Sequence, residues 1–218
     1  MGLRAAALLL LLAHQTSPAL AQADAPITLI VKQGGKEVGR EDLTLTRGRG
    51  RGTSGSTLSA TARYPANAPT TRLTAVLERT AEFAIAKFQL DVESPSGTTV
   101  ILAAGSGARL VVRTVATGSE SGRELPGGPD VVLLDDEVHS LYSAVASLAT
   151  HAGKRLTAIF PRTGKRASFT ARLESAGQGE TTRIVLTGDI AGTLLTDTEG
   201  RLQRLELPAQ GKVVSRAE

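Results

Sequence analysis

The residues best suited to chemistry stand together in one short segment. Asp135, Asp136, Glu137 and His139 fall within five positions, and carboxylates beside an imidazole can bind zinc or transfer protons. A bound zinc needs three or four ligands. The next histidine, His151, lies three helical turns beyond His139, about 18 Å along a helix axis. We therefore predict no metal site and no cofactor.

The same segment fits the start of a helix. The carboxylate of Asp135 or Asp136 is suited to accept hydrogen bonds from the free amides of a first turn, and Glu137 would complement the helix dipole. The spacing predicts an amphipathic helix over about residues 136–150. Its apolar stripe consists of Val138, Leu141, Tyr142, Val145 and Leu148. A hydrolase that uses Asp135, Asp136 and His139 stays as an alternative.

Other candidate motifs are incomplete. The RGRGRG run of residues 47–52 is typical of a flexible loop, although its arginines could contact phosphates. The Gly-Lys pairs at 164–165 and 211–212 lack the first glycine of a phosphate-binding loop. The middle residue of GSESG is Glu120, where a nucleophile elbow needs serine. Without a catalytic signature, we predict that the protein is not an enzyme.

The rest of the chain alternates polar and apolar residues, as strands do. Two alternating runs around Gly34-Gly35 predict a hairpin, and residues 56–64 place Leu58, Ala60 and Ala62 on one face. Residues 118–130 are polar and rich in glycine and proline, which predicts a loop. Counting such runs gives a mainly β protein with about eleven antiparallel strands and one helix.

The N-terminus indicates export. A positive start, an apolar run and the small residues before Gln22 predict a signal peptide over residues 1–21, cleaved after Ala21. We predict a single domain over residues 22–218, periplasmic or secreted, bacterial and not membrane-spanning, because no later stretch is long and free of charge. The net charge of +4 is scattered and aromatics make up 3%, which disfavours nucleic acid as a partner.

Three stretches resemble exported bacterial proteins of unknown function with a half-barrel like that of periplasmic lipoprotein carriers (LolA-like). They are ITLIVKQGGKEVGREDLTL, similar to a first hairpin, VVLLDDEVHSLYSAVASLA, similar to the single helix, and TDTEGRLQRLELPAQGKVVSR, similar to a closing strand. The resemblance implies a strongly curved sheet, or half-barrel, whose concave face is covered by the helix.

In the carriers that concave cavity holds acyl chains. The resemblance therefore implies a hydrophobic or amphiphilic ligand, such as a lipid acyl chain, contacted by Phe88, Leu90, Leu110, Val112, Leu141 and Tyr142. The carriers line the cavity with aromatics, whereas this chain has four Phe, two Tyr and no Trp, so a closed core stays open as an alternative. The other alternative is a structural or interaction module of the cell envelope that pairs through an exposed edge, such as the first or last strand.

Overall fold

The computed structural model describes residues 25–48, 55–174 and 181–217, so the predicted signal peptide lies outside the described residues. The first eight strands are β1 Ile27–Gln33, β2 Lys36–Arg47, β3 Ser56–Tyr64, β4 Thr71–Arg79, β5 Ile85–Ser94, β6 Gly97–Ser106, β7 Arg109–Ala116 and β8 Ser119–Pro126. The other seven are β9 Val131–Leu133, β10 Lys154–Ile159, β11 Arg166–Glu174, β12 Thr182–Gly188, β13 Gly192–Thr196, β14 Leu202–Leu207 and β15 Lys212–Arg216.

These fifteen strands form one sheet, antiparallel except for the pair β9–β10. The order runs from β8 to β1 and then from β15 to β9, so that β1 pairs with β15 in the middle. The two ends of the sheet come close together: Arg123 of the edge strand β8 donates a hydrogen bond to the Pro161 carbonyl, just beyond β10, which is the neighbour of the other edge strand, β9. The sheet is therefore a nearly closed barrel. The mainly β prediction is confirmed, whereas eleven strands in a half-barrel is wrong.

Three of the strands carry little of the alternation that reveals a strand. β8 falls in the predicted loop, since only Leu125 of this edge strand is buried. β9 has three residues, all buried, and β15 buries Val214 alone. The predicted β1–β2 hairpin is confirmed. Gly34 and Gly35 have φ of 56° and 81°, as the central residues of a type I′ turn require.

The helix is shorter than predicted and is buried on all sides. A 3-10 turn, His139–Tyr142, continues directly into one α-helical turn, α1, Ser143–Ala146. We call residues 139–146 the inner helix. The prediction of one helix in this segment is confirmed, but residues 138–145 are all buried, so the predicted amphipathic character and the bounds of 136–150 are wrong. Parallel strands need a long crossover, and the inner helix lies in the one that joins β9 to β10.

The inner helix packs inside the barrel against β2, β3, β13 and β14. The inner faces of the strands and the helix contribute to one hydrophobic core. In the described part of the chain, no helix has the length and apolar character needed to cross a membrane.

Candidate functional site

Both ends of the inner helix meet polar side chains from the inner face of a strand. Glu41 follows the same alternation in β2 as the buried Leu43 and Leu45. Arg79 follows the same alternation in β4 as the buried Ala75 and Leu77. Because successive side chains of a strand point to opposite faces, Glu41 and Arg79 both point into the barrel.

Glu41 caps the N-terminal end of the inner helix. Its side chain is 0% exposed. Oε1 accepts a hydrogen bond from the His139 backbone N–H at 2.8 Å, and Oε2 accepts from the Ser140 N–H at 2.8 Å and from the Ser140 hydroxyl at 2.6 Å. The His139 Nδ1 lies 2.7 Å from Oε1. The free amides of a helix start need such acceptors, and here a strand 98 residues away supplies them.

The prediction that Asp135 or Asp136 caps the helix is therefore wrong. The residue at the cap position is Val138, which makes no side-chain cap. The Asp135 carboxylate instead accepts the Glu137 N–H at 2.9 Å and two hydrogen bonds from Arg162 at 2.7 and 2.8 Å. Asp135 thus fixes the turn before the helix.

The environment of Glu41 favours its charged form. Burial alone raises the pKa of a carboxyl, but the hydrogen bonds from His139 and Ser140 outweigh burial and hold the pKa of Glu41 below its usual value. The Tyr64 hydroxyl also lies 3.3 Å from Glu41 Oε1. Burial and the Glu41 charge raise the pKa of Tyr64, so Tyr64 stays a neutral hydrogen-bond donor.

The Glu41, His139 and Ser140 side chains are not arranged as a catalytic triad. In a triad the imidazole lies between the acid and the nucleophilic hydroxyl. Here the Ser140 hydroxyl donates to Glu41, and the buried His139 Nε2 has no hydrogen-bond partner among the described residues. This geometry satisfies a buried carboxylate and does not activate the serine. It gives the hydrolase alternative, which also used Asp135 and Asp136, no support.

Arg79 occupies the other end of the inner helix. Its side chain is 6% exposed, and Nη1 donates to the Ala144 carbonyl at 2.9 Å and to Ser147 Oγ at 2.8 Å. Among the described residues no carboxylate pairs with it. Burial, together with the nearby charge of Arg47, lowers the pKa of Arg79 to about 10. Arg79 is a buried cation that compensates the C-terminal end of the helix dipole.

A cavity of about 350 Å³ opens beside Arg79, at this end of the barrel; we call it the end cavity. Arg47, Ser56 and Arg79 are direct cross-strand neighbours on β2, β3 and β4, and they form one polar row along its wall. Other wall residues are Leu45, Phe83, Ala146, Ser143, Ser147, Thr182 and Thr196. The wall thus combines cations and hydroxyls with apolar side chains.

Phe83 stands in an unusual backbone conformation at the mouth of the end cavity. Its φ is 63°, a positive value that is uncommon for any residue except glycine. Phe83 is 39% exposed, and the centroid of its ring lies 5.3 Å from the Arg79 guanidinium carbon. Strained conformations of bulky residues concentrate at functional sites, so Phe83 adds to the case for a site here.

The six residues predicted to contact a ligand all point into the hydrophobic core. Phe88 and Leu90 come from β5, Leu110 and Val112 come from β7 on the other side of β6, and Leu141 and Tyr142 come from the inner helix. Phe88 and Val112 lie in one cross-strand row through Ala103. None of the six borders the end cavity, and their contact with a ligand stays a prediction.

Sequence reasoning missed Glu41, Ser56 and Arg79. The sequence did contain a signal for them. In each strand every second residue faces the interior, and each of these three residues stands at such a position. A charged residue at such a position is either satisfied by a partner or part of a site. Within the described ranges, no three His, Asp or Glu side chains are grouped to hold a metal ion.

Comparisons with known proteins identify no family for this chain and one distant structural likeness. No family model matches the chain, and no curated protein matches it. The crystal structure of a DUF1089 family protein from Pseudomonas aeruginosa aligns with 89% of this chain and 96% of its own chain, at 14% identity and with a TM-score of 0.39. A likeness this distant carries no argument about function. The comparisons show no family of lipoprotein carriers.

Proposed function

We propose that this is an exported, non-enzymatic protein that binds a small amphiphilic ligand in the end cavity. The observation that carries the proposal is the mixed wall of that cavity, where Leu45 and Phe83 adjoin the buried Arg79 and several hydroxyls. Ligand sites are commonly concave and apolar with a few placed polar groups. Export rests on the predicted signal peptide, and the proposal concerns the protein after cleavage at Ala21.

The volume of the end cavity limits the size of the ligand. About 350 Å³ is near the lower end of the range of roughly 300–1,000 Å³ for ligand pockets. The barrel interior beside it is filled by buried leucine, alanine and valine side chains. A ligand with one short apolar tail therefore fits the proposal better than a lipid with two long chains.

The test is native mass spectrometry on protein purified without detergent, with solvent extraction of a denatured sample. We expect a co-purifying species of a few hundred daltons that is lost on denaturation, or reversible binding of a fluorescent fatty acid by the bare chain. A bare chain that binds neither a fluorescent fatty acid nor a short-chain alcohol would contradict the proposal.

A second candidate, an envelope interaction module, is favoured by one observation on the outer face. Leu102 of β6 and Val111 of β7 are 36% and 50% exposed, and both border a groove there. The predicted use of the first or last strand as a free edge is wrong, since β1 pairs with β2 and β15, and β15 pairs with β1 and β14. A stoichiometric partner captured from periplasmic extract, and lost in Val111→Ser, would favour this candidate.

A further inference from the structure

The Arg79 guanidinium has an unused edge at the end cavity. Its Nη1 bonds to the inner helix. Its Nη2 and Nε make no hydrogen bond with the described residues, and neither nitrogen is completely buried. Since Arg79 lines the end cavity, these two nitrogens are the groups it offers to a bound molecule.

Elsewhere among the described residues, the same edge of two other arginines binds a carboxylate. Nε and Nη2 of Arg113 donate to Glu120 at 2.7 and 2.9 Å. Nε and Nη2 of Arg162 donate to Asp135 at 2.7 and 2.8 Å. This parallel pair of hydrogen bonds matches the geometry of a carboxylate. On Arg79 the corresponding place holds no acid from the described residues.

The surroundings of Arg79 favour an anion. Arg47 adds a second positive charge to the wall. The carboxylate of the wall residue Asp197 is already bound by Arg201 at 2.7 Å, so Asp197 does not neutralise Arg79.

A purely structural role leaves part of this arrangement unexplained. To cap the inner helix, Arg79 needs only Nη1, which bonds to the Ala144 carbonyl. A buried charge without an opposite charge is costly, and the low pKa of Arg79 has the same cause. A bound anion would remove this cost, whereas a helix cap does not.

We propose that the end cavity recognises a carboxylate, so that the ligand is a small monocarboxylate with one apolar tail. Nε and Nη2 of Arg79 would bind the two carboxylate oxygens. Leu45 and Phe83 would contact the tail. This inference rests on the proposed function and adds the chemical class of the ligand.

The first test compares three ligands of equal chain length on the wild-type protein. Isothermal titration calorimetry at pH 7.5 and fixed salt would measure octanoate, 1-octanol and octylammonium. We expect octanoate to bind about tenfold or more tightly than octanol, because hydrogen bonds between charged groups typically contribute more free energy than a tenfold difference in affinity requires. Octylammonium should bind most weakly. Equal affinities for octanoate and octanol would overturn the carboxylate inference alone, and no binding of either would overturn the proposed function with it.

The second test uses Arg79→Lys, which keeps the charge and a donor for the helix but loses the two-nitrogen edge. We expect octanoate affinity to fall about tenfold while octanol affinity is unchanged. The matched control is Arg72→Lys on the exposed face of the same strand, which should change neither. Unchanged octanoate binding in a folded Arg79→Lys protein, checked by circular dichroism, would overturn the inference.

Discussion

Glu41→Gln is the sharpest test of how the inner helix is held. The substitution keeps the shape of the side chain but replaces one acceptor oxygen with an amide that donates. Each Glu41 oxygen accepts one backbone N–H, from His139 or from Ser140. The amide therefore faces a backbone N–H in either orientation, whereas the Ser140 hydroxyl can turn to become an acceptor.

The expected loss of stability follows from these contacts. One buried N–H without an acceptor costs about 1–3 kcal/mol, and the remaining hydrogen bonds lose the benefit of a charged acceptor. We expect Glu41→Gln to lower the free energy of unfolding by about 2–4 kcal/mol. For a domain of this size the melting temperature would fall by about 5–15 °C. Urea denaturation measures the free energy of unfolding and thermal denaturation measures the melting temperature, both followed by circular dichroism.

The pH dependence gives an independent readout of Glu41. Its pKa is lower in the folded protein than in the unfolded chain, so the contribution of Glu41 to stability is complete above the unfolded pKa, about 4.3. The contribution is lost as the pH falls through the lower, folded pKa. Wild-type stability should therefore fall more steeply below about pH 4 than that of Glu41→Gln.

The control is Glu37→Gln in the same strand, which removes a surface ion pair with Arg40. That change should cost no more than about 1 kcal/mol. If Glu41→Gln costs no more than Glu37→Gln, or if the two proteins share one acid profile, then Glu41 does not hold the helix.

Three further predictions concern other contacts. Arg162→Met should lower the free energy of unfolding by about 2–4 kcal/mol, because it leaves the buried Asp135 carboxylate without its partner; a loss in urea denaturation below about 0.5 kcal/mol would contradict this. Phe83→Gly should raise or preserve the melting temperature, since glycine adopts the positive φ without strain, and should weaken octanoate binding measured by calorimetry. Gly39→Ala should destabilise by about 1–3 kcal/mol, because a β-carbon would overlap the Tyr64 ring; a smaller loss in a Tyr64→Leu background would identify that ring as the cause.

The class of fold could be predicted from the sequence, but its closure could not. Alternation in strands such as β3 and β4 reports one buried face, and it is absent from β8, where Leu125 alone is buried and most residues are exposed. Without β8, β9 and β15 the predicted sheet lacks both of its edge strands and the strand that pairs with β1, so the sequence pattern did not show that the two edges meet. The helix prediction failed for a related reason. A helix enclosed by a barrel has no solvent-exposed face, so the spacing of its apolar residues does not show where it begins and ends.

The candidate site shows a different limit. The cluster of Asp135, Asp136 and His139 drew attention because its members are close in sequence, yet the acceptor for His139 is Glu41, far away along the chain. Ser56 and Arg79 are likewise neighbours only through strand register. Local spacing shows which face of a strand a residue occupies, but not which residue lies opposite.

The pairing of β1 with β15 has a consequence for the order of folding. The sheet consists of two runs, β1 to β8 and β10 to β15, in which each strand pairs with its neighbour in sequence, and of β9, which pairs with β10 in parallel. The seam between them joins Leu29 to Arg216, almost the full described length apart, and closing so long a loop is entropically slow. Each run can assemble from local hairpins, whereas the seam must wait for the last strand. Until then the edges of β1 and β15 stay unpaired, which makes this interval the one in which the chain is most exposed to aggregation.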